Sequence, residues 1–136
     1  MIIGTKKNLF IKNTNKYHNK KILFDGHNFD SIKEKNYYIK LKALEKAGLI
    51  RNLELQKEYI LQESFKLNGT TRRKITYKAD FSYISTQDDK IHVVDVKGFR
   101  TEVYRLKKKM FEYKYKIELE EIWKSGYQCL IIAGMR

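Results

Sequence analysis

The chain has 136 residues, of which 42% are hydrophobic and 33% charged, a composition that suits one globular domain and excludes an intrinsically disordered protein. No apolar run approaches the length of a membrane span, so we expect a cytoplasmic protein with no membrane partner. The 29 Lys and Arg residues outnumber the 16 Asp and Glu residues, which gives a net charge of +13. This excess favours a polyanionic partner such as DNA, and a lysine-rich soluble protein from an AT-rich genome is the alternative.

The first 21 residues form a predicted basic arm that precedes a single domain over residues 22–136. The arm contains six lysines and no acidic residue, and Lys20 and Lys21 close it. Such a segment can contact phosphates, or it can be a solvated terminus. The arm and the hairpin after it are also the candidate surfaces for a possible homodimer.

A hairpin and a helix come next. Asp25-Gly26 between apolar residues predicts a tight β-turn. The sequence from Ser31 to Glu34 fits the capping box S-x-x-E, which predicts a helix from about Ile32 to Ala47 that stops at Gly48.

Glu34 has two possible roles. It lies on the apolar stripe of the predicted helix, together with Tyr38 and Leu41, so its carboxylate points toward the sheet. A buried carboxylate needs a partner, which a metal or a metal-bound water would provide. Alternatively, Glu34 completes the capping box by accepting a hydrogen bond from the Ser31 N–H.

Three strands follow the helix. Residues 52–61, 75–84 and 90–96 show alternating or continuous apolar patterns, and a short polar loop joins the last two into an antiparallel hairpin. Between the first two, residues 67–74 predict a turn with a basic tip. The basic residues of this tip are Arg72, Arg73 and Lys74. The tip can enter a DNA groove, or it is only a solvated turn.

After Thr101, which can cap a helix, the apolar spacing becomes helical. The predicted apolar stripe consists of Val103, Leu106, Met110 and Tyr113. Residues 116–122 fit a continued helix or a strand, and we favour a strand. Residues 127–133 predict a buried final strand. The resulting fold class is α/β (α+β) with a mixed central sheet.

The hairpin carries acidic residues in its strands. Alternation places the odd-numbered residues of 75–83 on one face and Asp80 with Ser82 on the other, while Asp95 shares a face with Lys97. A turn centred on Asp88-Asp89 puts Asp80 opposite Lys97 and Ser82 opposite Asp95. A shift of one residue would separate the two aspartates.

Two carboxylates at cross-strand distance suit a divalent metal such as Mg²⁺. The competing interpretation makes Asp80 and Asp95 solvent-facing residues, with Lys97 as an ion-pair partner of little energetic value. Against it, the face that carries Asp95 begins with the apolar residues Ile91 and Val93. The turn residues Asp88-Asp89 are expected to have no chemical role.

A helix glutamate, a strand aspartate and a following D-x-K motif, here Glu34, Ala79-Asp80 and Asp95-Val96-Lys97, resemble the PD-(D/E)xK nuclease superfamily. The segments "DGHNFDSIKE", "KADFSY" and "VVDVKGFRT" are similar to a small phage-encoded family of predicted endonucleases, related in architecture to RecU-type Holliday junction resolvases. The resemblance covers the chain from about Lys16 onward. Ala79 replaces the proline of the motif, a position without a ligand role.

The resemblance implies a restriction-endonuclease-like core of helix, three strands, helix and strand. It implies that Asp80 and Asp95 hold Mg²⁺ or Mn²⁺, that the Val96 carbonyl is a further ligand, and that Glu34 binds metal through water. Lys97 would orient or activate the attacking water. The expected activity is hydrolysis of phosphodiester bonds in double-stranded or branched DNA, such as a Holliday junction, during phage recombination or DNA processing.

Two alternatives are an inactive nucleic-acid-binding module on a nuclease fold and a nuclease subunit of a larger recombination or transposition complex. Gln56 lies in a strand beside the helix and either reaches the site or is an exposed strand amide. Three basic residues after the motif are expected to contact the DNA backbone as a group, namely Arg100, Lys107 and Lys108.

Overall fold

The computed structural model describes residues 20–123. Residues 1–19 of the predicted arm and the strand predicted at 127–133 therefore lie outside the described residues. The helices are α1 (Ile32–Lys46) and α2 (Glu102–Tyr115). The strands are β1 (Ile22–Phe24), β2 (His27–Phe29), β3 (Ile50–Gln62), β4 (Phe65–Leu67), β5 (Thr70–Arg72), β6 (Ile75–Ser85), β7 (Ile91–Val96) and β8 (Leu119–Ile122).

The central sheet is mixed, with the strand order β3-β6-β7-β8. Strands β3, β6 and β7 are antiparallel neighbours, while β8 runs parallel to β7 after the α2 crossover. Val93 and Val94 are consecutive in β7 but pack in different hydrophobic clusters. Since consecutive strand residues point to opposite faces, α1 and α2 cover opposite faces of the sheet. The predicted mixed α/β class is confirmed.

The first hairpin and α1 form where the sequence predicts them. Asp25 and Gly26 have φ values of 50° and 74°, as a two-residue hairpin turn requires. The Ser31 hydroxyl accepts a hydrogen bond from the Glu34 N–H at 3.1 Å and caps α1. The helix ends at Lys46, with Ala47 as its C-cap.

The basic residues of the β4–β5 hairpin do not lie at its tip. The turn consists of Asn68 and Gly69, both with positive φ, because these two residues tolerate the left-handed conformation. Arg72 ends β5, and Arg73 and Lys74 link β5 to β6. The prediction of a basic tip is therefore wrong, and the three cations lie at the base of the hairpin.

Helix α2 begins as predicted, with the Thr101 hydroxyl accepting from the Tyr104 N–H at 3.1 Å. Its buried residues are Tyr104 and Phe111, whereas Val103 is 62% exposed. The predicted apolar stripe thus lies mostly in solvent, because the large aromatic rings of the neighbouring stripe fill the space over the sheet. The favoured strand within residues 116–122 is β8. In the described part of the chain, neither helix combines the length and apolarity that crossing a membrane requires.

Candidate functional site

The predicted site residues converge at one end of the β6–β7 hairpin. Asp80 lies in β6, and Asp95 lies in β7 two residues before Lys97. Glu34 projects from the first turn of α1. Asp95 is 1% exposed and Glu34 is 4% exposed, so these carboxylates are held in the interior of a strongly basic protein.

The register of the hairpin differs from the predicted one. Ser82 lies opposite Val93 rather than opposite Asp95, because the connecting loop is centred one residue earlier than expected. Continuing this register places Asp80 across from Asp95 rather than across from Lys97. The displacement is an even number of residues, so both aspartates stay on the same side of the ladder.

Asp95 is held by two donors on the α2 side of the sheet. The Tyr77 hydroxyl donates to Asp95 Oδ2 at 2.5 Å, and Lys97 Nζ lies 2.5 Å from the same oxygen. Lys97 Nζ also lies 4.0 Å from the centre of the Tyr104 ring, a cation–π contact. Burial and the Asp95 charge raise the pKa of the Tyr77 hydroxyl, so it remains a hydrogen-bond donor at neutral pH.

Asp80 is bonded to the backbone and lies against Asp95. Its Oδ2 accepts a hydrogen bond from the Val96 N–H at 2.8 Å. The pKa of Asp80 is raised to about 8, chiefly by burial and secondly by the charge of Asp95. The hydrogen bond from the Val96 N–H lowers the pKa and offsets part of this rise. The raised pKa favours the protonated form of Asp80 beside Asp95.

Gln56 connects Glu34 to this pair. Its Nε2 donates to Glu34 Oε1 at 3.0 Å and lies 3.4 Å from Asp80 Oδ1. The sequence left open whether Gln56 reaches the site or is an exposed strand amide. Both descriptions hold, because the residue is exposed and its amide contacts Glu34 and Asp80. Glu34 Oε2 accepts from the Asp30 N–H at 3.0 Å, so the expected bond to the Ser31 N–H is replaced by one to the preceding residue.

Tyr77 was missed by the sequence analysis because regular alternation places it on the wrong face. Tyr77 and Phe81 were expected to share a face, but Tyr77 packs in the α2 cluster and Phe81 in the α1 cluster. The change occurs at Asp80. Asp80 and Gln56 are left unpaired between β6 and β3 although the register continues past them, and Gln56 has a φ of 54°. Glutamine carries no sequence signal for this left-handed conformation, so no pattern could have predicted the break.

The predicted metal can be tested against the donors that are present. In the described range 20–123, no three His, Cys, Asp or Glu side chains are grouped to surround one ion. Mg²⁺ sites in proteins commonly use one or two carboxylates, with waters and substrate phosphates completing the shell. Asp80 and Asp95 supply such a pair, and their repulsion is what a cation would relieve. The pair fits a divalent metal. The Gln56 amide lies between Glu34 and Asp80 and contacts both.

Most of the predicted DNA contacts lie on the surface, but some are already paired. The Arg100 guanidinium binds the Glu121 carboxylate, and Lys108 Nζ lies 3.6 Å from it. Lys74 pairs with Glu58 at 2.9 Å. The exposed basic candidates are Lys20, Lys21, Arg72, Arg73, Lys74 and Arg100. Lys107 and Lys108 are half-buried.

A cavity of about 360 Å³ adjoins the site on the α1 side. It runs between the first hairpin, α1 and β3, with Glu34 and Gln56 in its wall. Tyr38 forms part of the same wall, where its hydroxyl donates to Asp25 Oδ2 at 2.5 Å and ties α1 to the hairpin turn. The cavity therefore reaches the site at Glu34 and Gln56, and neither Asp80 nor Asp95 lines it.

Comparison with known proteins assigns a family to the chain. No curated protein sequence matches it, and no solved structure matches it. One family model matches residues 14–129, a range that includes all the residues of the candidate site. The chain therefore belongs to the family described as "Protein of unknown function (DUF1064)".

Proposed function

We propose that this protein is a metal-dependent endonuclease that hydrolyses phosphodiester bonds in DNA. The observation that carries the proposal is the close pair of carboxylates formed by the buried Asp95 and the half-buried Asp80, with Lys97 Nζ 2.5 Å from Asp95. Carboxylates that repel each other inside a folded protein destabilise it, and such perturbed groups are concentrated at functional sites, where a bound cation can relieve the repulsion. A lysine beside such a pair matches the D-x-K arrangement of PD-(D/E)xK nucleases.

Each residue of the site has a defined part in this reaction. Asp80 and Asp95 would hold a divalent ion, which would act as a Lewis acid and lower the pKa of a water molecule. Lys97 supplies positive charge where the phosphate becomes more negative, and the Tyr104 ring holds its ammonium in place. Tyr77 fixes the Asp95 carboxylate from the buried side. Gln56 donates to Glu34, which would help to hold the ion through water.

The proposed substrate is DNA that is double-stranded or branched. The net charge of +13 favours a polyanion, and the basic residues around the site occur on several elements rather than along one stripe. The residues of the D-x-K arrangement lie at the C-terminal end of β7, an inner strand of the sheet, and are followed directly by the exposed residues 98–100. Branched DNA such as a four-way junction is the substrate that the resemblance to resolvases favours.

Supercoiled plasmid and a synthetic four-way junction, each incubated with the protein and Mg²⁺, test the proposal. The wild-type protein should nick or cut at least one of them, and EDTA should abolish cleavage. Asp80→Ala should be inactive, while Asp89→Ala, which removes an exposed turn carboxylate, should remain active. DNA binding without cleavage would indicate a binding module instead, and equal cleavage by wild type and Asp80→Ala would refute the assigned site.

A further inference from the structure

Phe99 is an exposed aromatic residue directly beside the proposed catalytic lysine. Its side chain is 78% exposed, although it follows Lys97 by only two residues. Two residues span at most roughly 7 Å, so the Phe99 backbone lies within that distance of the Lys97 backbone. A single exposed apolar residue is common on protein surfaces, so its position and its support decide whether it has a role.

The segment that carries Phe99 is anchored on its N-terminal side. The Lys97 N–H donates to the Ile122 carbonyl of β8 at 2.9 Å. The Lys97 ammonium is held between Asp95 and the Tyr104 ring. The chain therefore enters this short loop from a fixed position, with both the backbone and the side chain of Lys97 engaged.

The segment is also anchored on its C-terminal side. The Arg100 guanidinium binds the Glu121 carboxylate and lies 4.8 Å from the centre of the Trp123 ring. Tyr104 also donates to Glu121, at 2.7 Å. The next residue, Thr101, is the N-cap of α2. Phe99 thus projects into solvent from a loop of three residues that is anchored at both ends, so its backbone is held close to Lys97.

An aromatic ring in this position has a natural ligand in DNA. Every nucleobase has a flat face that stacks on aromatic side chains, but in a duplex both faces are covered by neighbouring bases. An unpaired nucleotide, or a base step that has been opened, exposes such a face. The base attached to a phosphate bound at Lys97 would lie about one nucleotide spacing away, within reach of Phe99.

We propose that Phe99 stacks on an unpaired nucleobase next to the phosphodiester that is cleaved, so that the preferred substrate carries an unpaired nucleotide at that point. This inference rests on the proposed function, because it takes Asp95 and Lys97 as the place where the phosphate binds. It specifies the substrate further: DNA with a flap, bulge or branch should be preferred over a fully paired duplex of the same sequence.

Binding to two matched DNA probes tests this. One is a labelled duplex with a single-nucleotide bulge, the other the same duplex fully paired, and both are titrated in EDTA so that no cleavage occurs. Wild type should prefer the bulged probe. Phe99→Ala should lose that preference through about tenfold weaker binding of the bulged probe, with duplex binding unchanged. Phe99→Trp should retain it. Tyr113→Ala removes another aromatic side chain that is 78% exposed, and should bind as wild type does.

The outcomes separate this inference from the proposed function. If wild type shows no preference for the bulged probe, or if Phe99→Ala keeps the wild-type preference, the stacking role is wrong. Cleavage of bulged and paired plasmid substrates then provides the second arm. Wild type that prefers the bulged probe but cuts nothing with Mg²⁺ would overturn the endonuclease alone. Wild type and Phe99→Ala that cut with the same selectivity would overturn the stacking role alone.

Discussion

The two ends of the β6–β7 hairpin each carry a pair of aspartates in opposite environments. At the open end, Asp80 and Asp95 face each other, and Asp95 is 1% exposed. At the turn, the side chains of Asp88 and Asp89 are 41% and 76% exposed. One hairpin thus carries two pairs of aspartates, an inner pair of which Asp95 is buried and Asp80 half-buried, and a turn pair in solvent.

Local contacts stabilise the ionised side chains of the two turn aspartates, Asp88 and Asp89. Asp88 accepts a hydrogen bond from the Lys90 N–H at 2.9 Å, which lowers the pKa of Asp88, and His92 lowers it further. Asp89 pairs with Arg51 at 2.5 Å. Such contacts are the ordinary means by which turn residues are satisfied.

The inner pair is not satisfied in the same way. Burial and the neighbouring Asp95 charge raise the pKa of Asp80 to about 8, so ionising both carboxylates opposes folding. Lys97 and Tyr77 stabilise Asp95, but neither donates to Asp80. The environment of the two aspartates, rather than their pairing, therefore distinguishes the candidate site from the turn.

The largest difference in cleavage rate is expected between variants that remove a charge at the open end of the β6–β7 hairpin and a variant that removes one at its turn. Asp95→Asn should reduce DNA cleavage by roughly three orders of magnitude, because one of two metal-binding carboxylates is lost. Lys97→Ala should have an effect of similar size. Asp88→Asn should leave cleavage within about twofold of wild type. Initial rates on supercoiled plasmid measure all three variants. Equal losses of cleavage for Asp95→Asn and Asp88→Asn would show that the inner aspartates are no more important for cleavage than the turn aspartates.

A smaller loss is expected when the link between Glu34 and Asp80 is cut. Gln56→Leu removes the amide that donates to both carboxylates and should lower cleavage by about 10- to 100-fold. Gln62→Leu, at the far end of β3, is a matched control with no contact to the site. The Mg²⁺ concentration at half-maximal rate is the informative readout. A rate unchanged at every Mg²⁺ concentration would show that Gln56 does not support the site.

Tyr77→Phe should destabilise the protein by about 1.5–3 kcal/mol, because a buried hydrogen bond to a charged group is lost. Tyr59→Phe, in the same cluster, removes a neutral bond of 3.2 Å to Ser82 and should lose only about 1 kcal/mol. Urea unfolding at pH 7 in EDTA compares the two. If both variants lose the same free energy of unfolding, Asp95 does not depend on Tyr77.

Asp80→Asn should stabilise the metal-free protein, and more so at high pH. The pKa of Asp80 is raised in the folded state, so between about pH 4 and pH 8 the folded protein retains a proton that the unfolded chain has released. Stability from this group is therefore present at low pH and is lost as pH rises toward 8. The variant should gain roughly 5 °C in Tm at pH 8.5 and little at pH 5.

At the turn the sign reverses. The pKa of Asp88 is lowered in the folded state, so its contribution to stability is present at neutral pH and is lost as pH falls through the folded pKa. Asp88→Asn should therefore lower Tm slightly at pH 7 and have no effect in acid. Thermal melts in EDTA across this range measure both variants, and a gain for Asp80→Asn that is independent of pH would contradict the account.

The sequence predicts the elements better than it predicts the faces. Asp25-Gly26, Ser31 and Thr101 carry strong local signals, and the structure places a turn and two helix caps there. Alternation could place Asp95 and Lys97 together because β7 is regular. Alternation gives the wrong face for Tyr77, because the odd-numbered side chains of β6 point to different faces of the sheet before and after Asp80.

The remaining errors have similar physical causes. The hairpin register depends on the loop conformation, in which Asp89 adopts a φ of 56° that no residue pattern demands. The buried side of α2 depends on which aromatic residues fit over the sheet, and Tyr104 and Phe111 do so in place of the smaller Val103. These choices are made by tertiary packing, which periodicity alone does not contain.

Crystals of the protein soaked in Mn²⁺ provide the most direct test of the central claim, because the anomalous signal of the ion locates it without reference to activity. We expect a peak between the carboxylates of Asp80 and Asp95, and its loss in Asp80→Asn crystals soaked in the same way. A peak only at the exposed turn aspartates, or none at the inner pair, would contradict the assignment of this pair as a metal site.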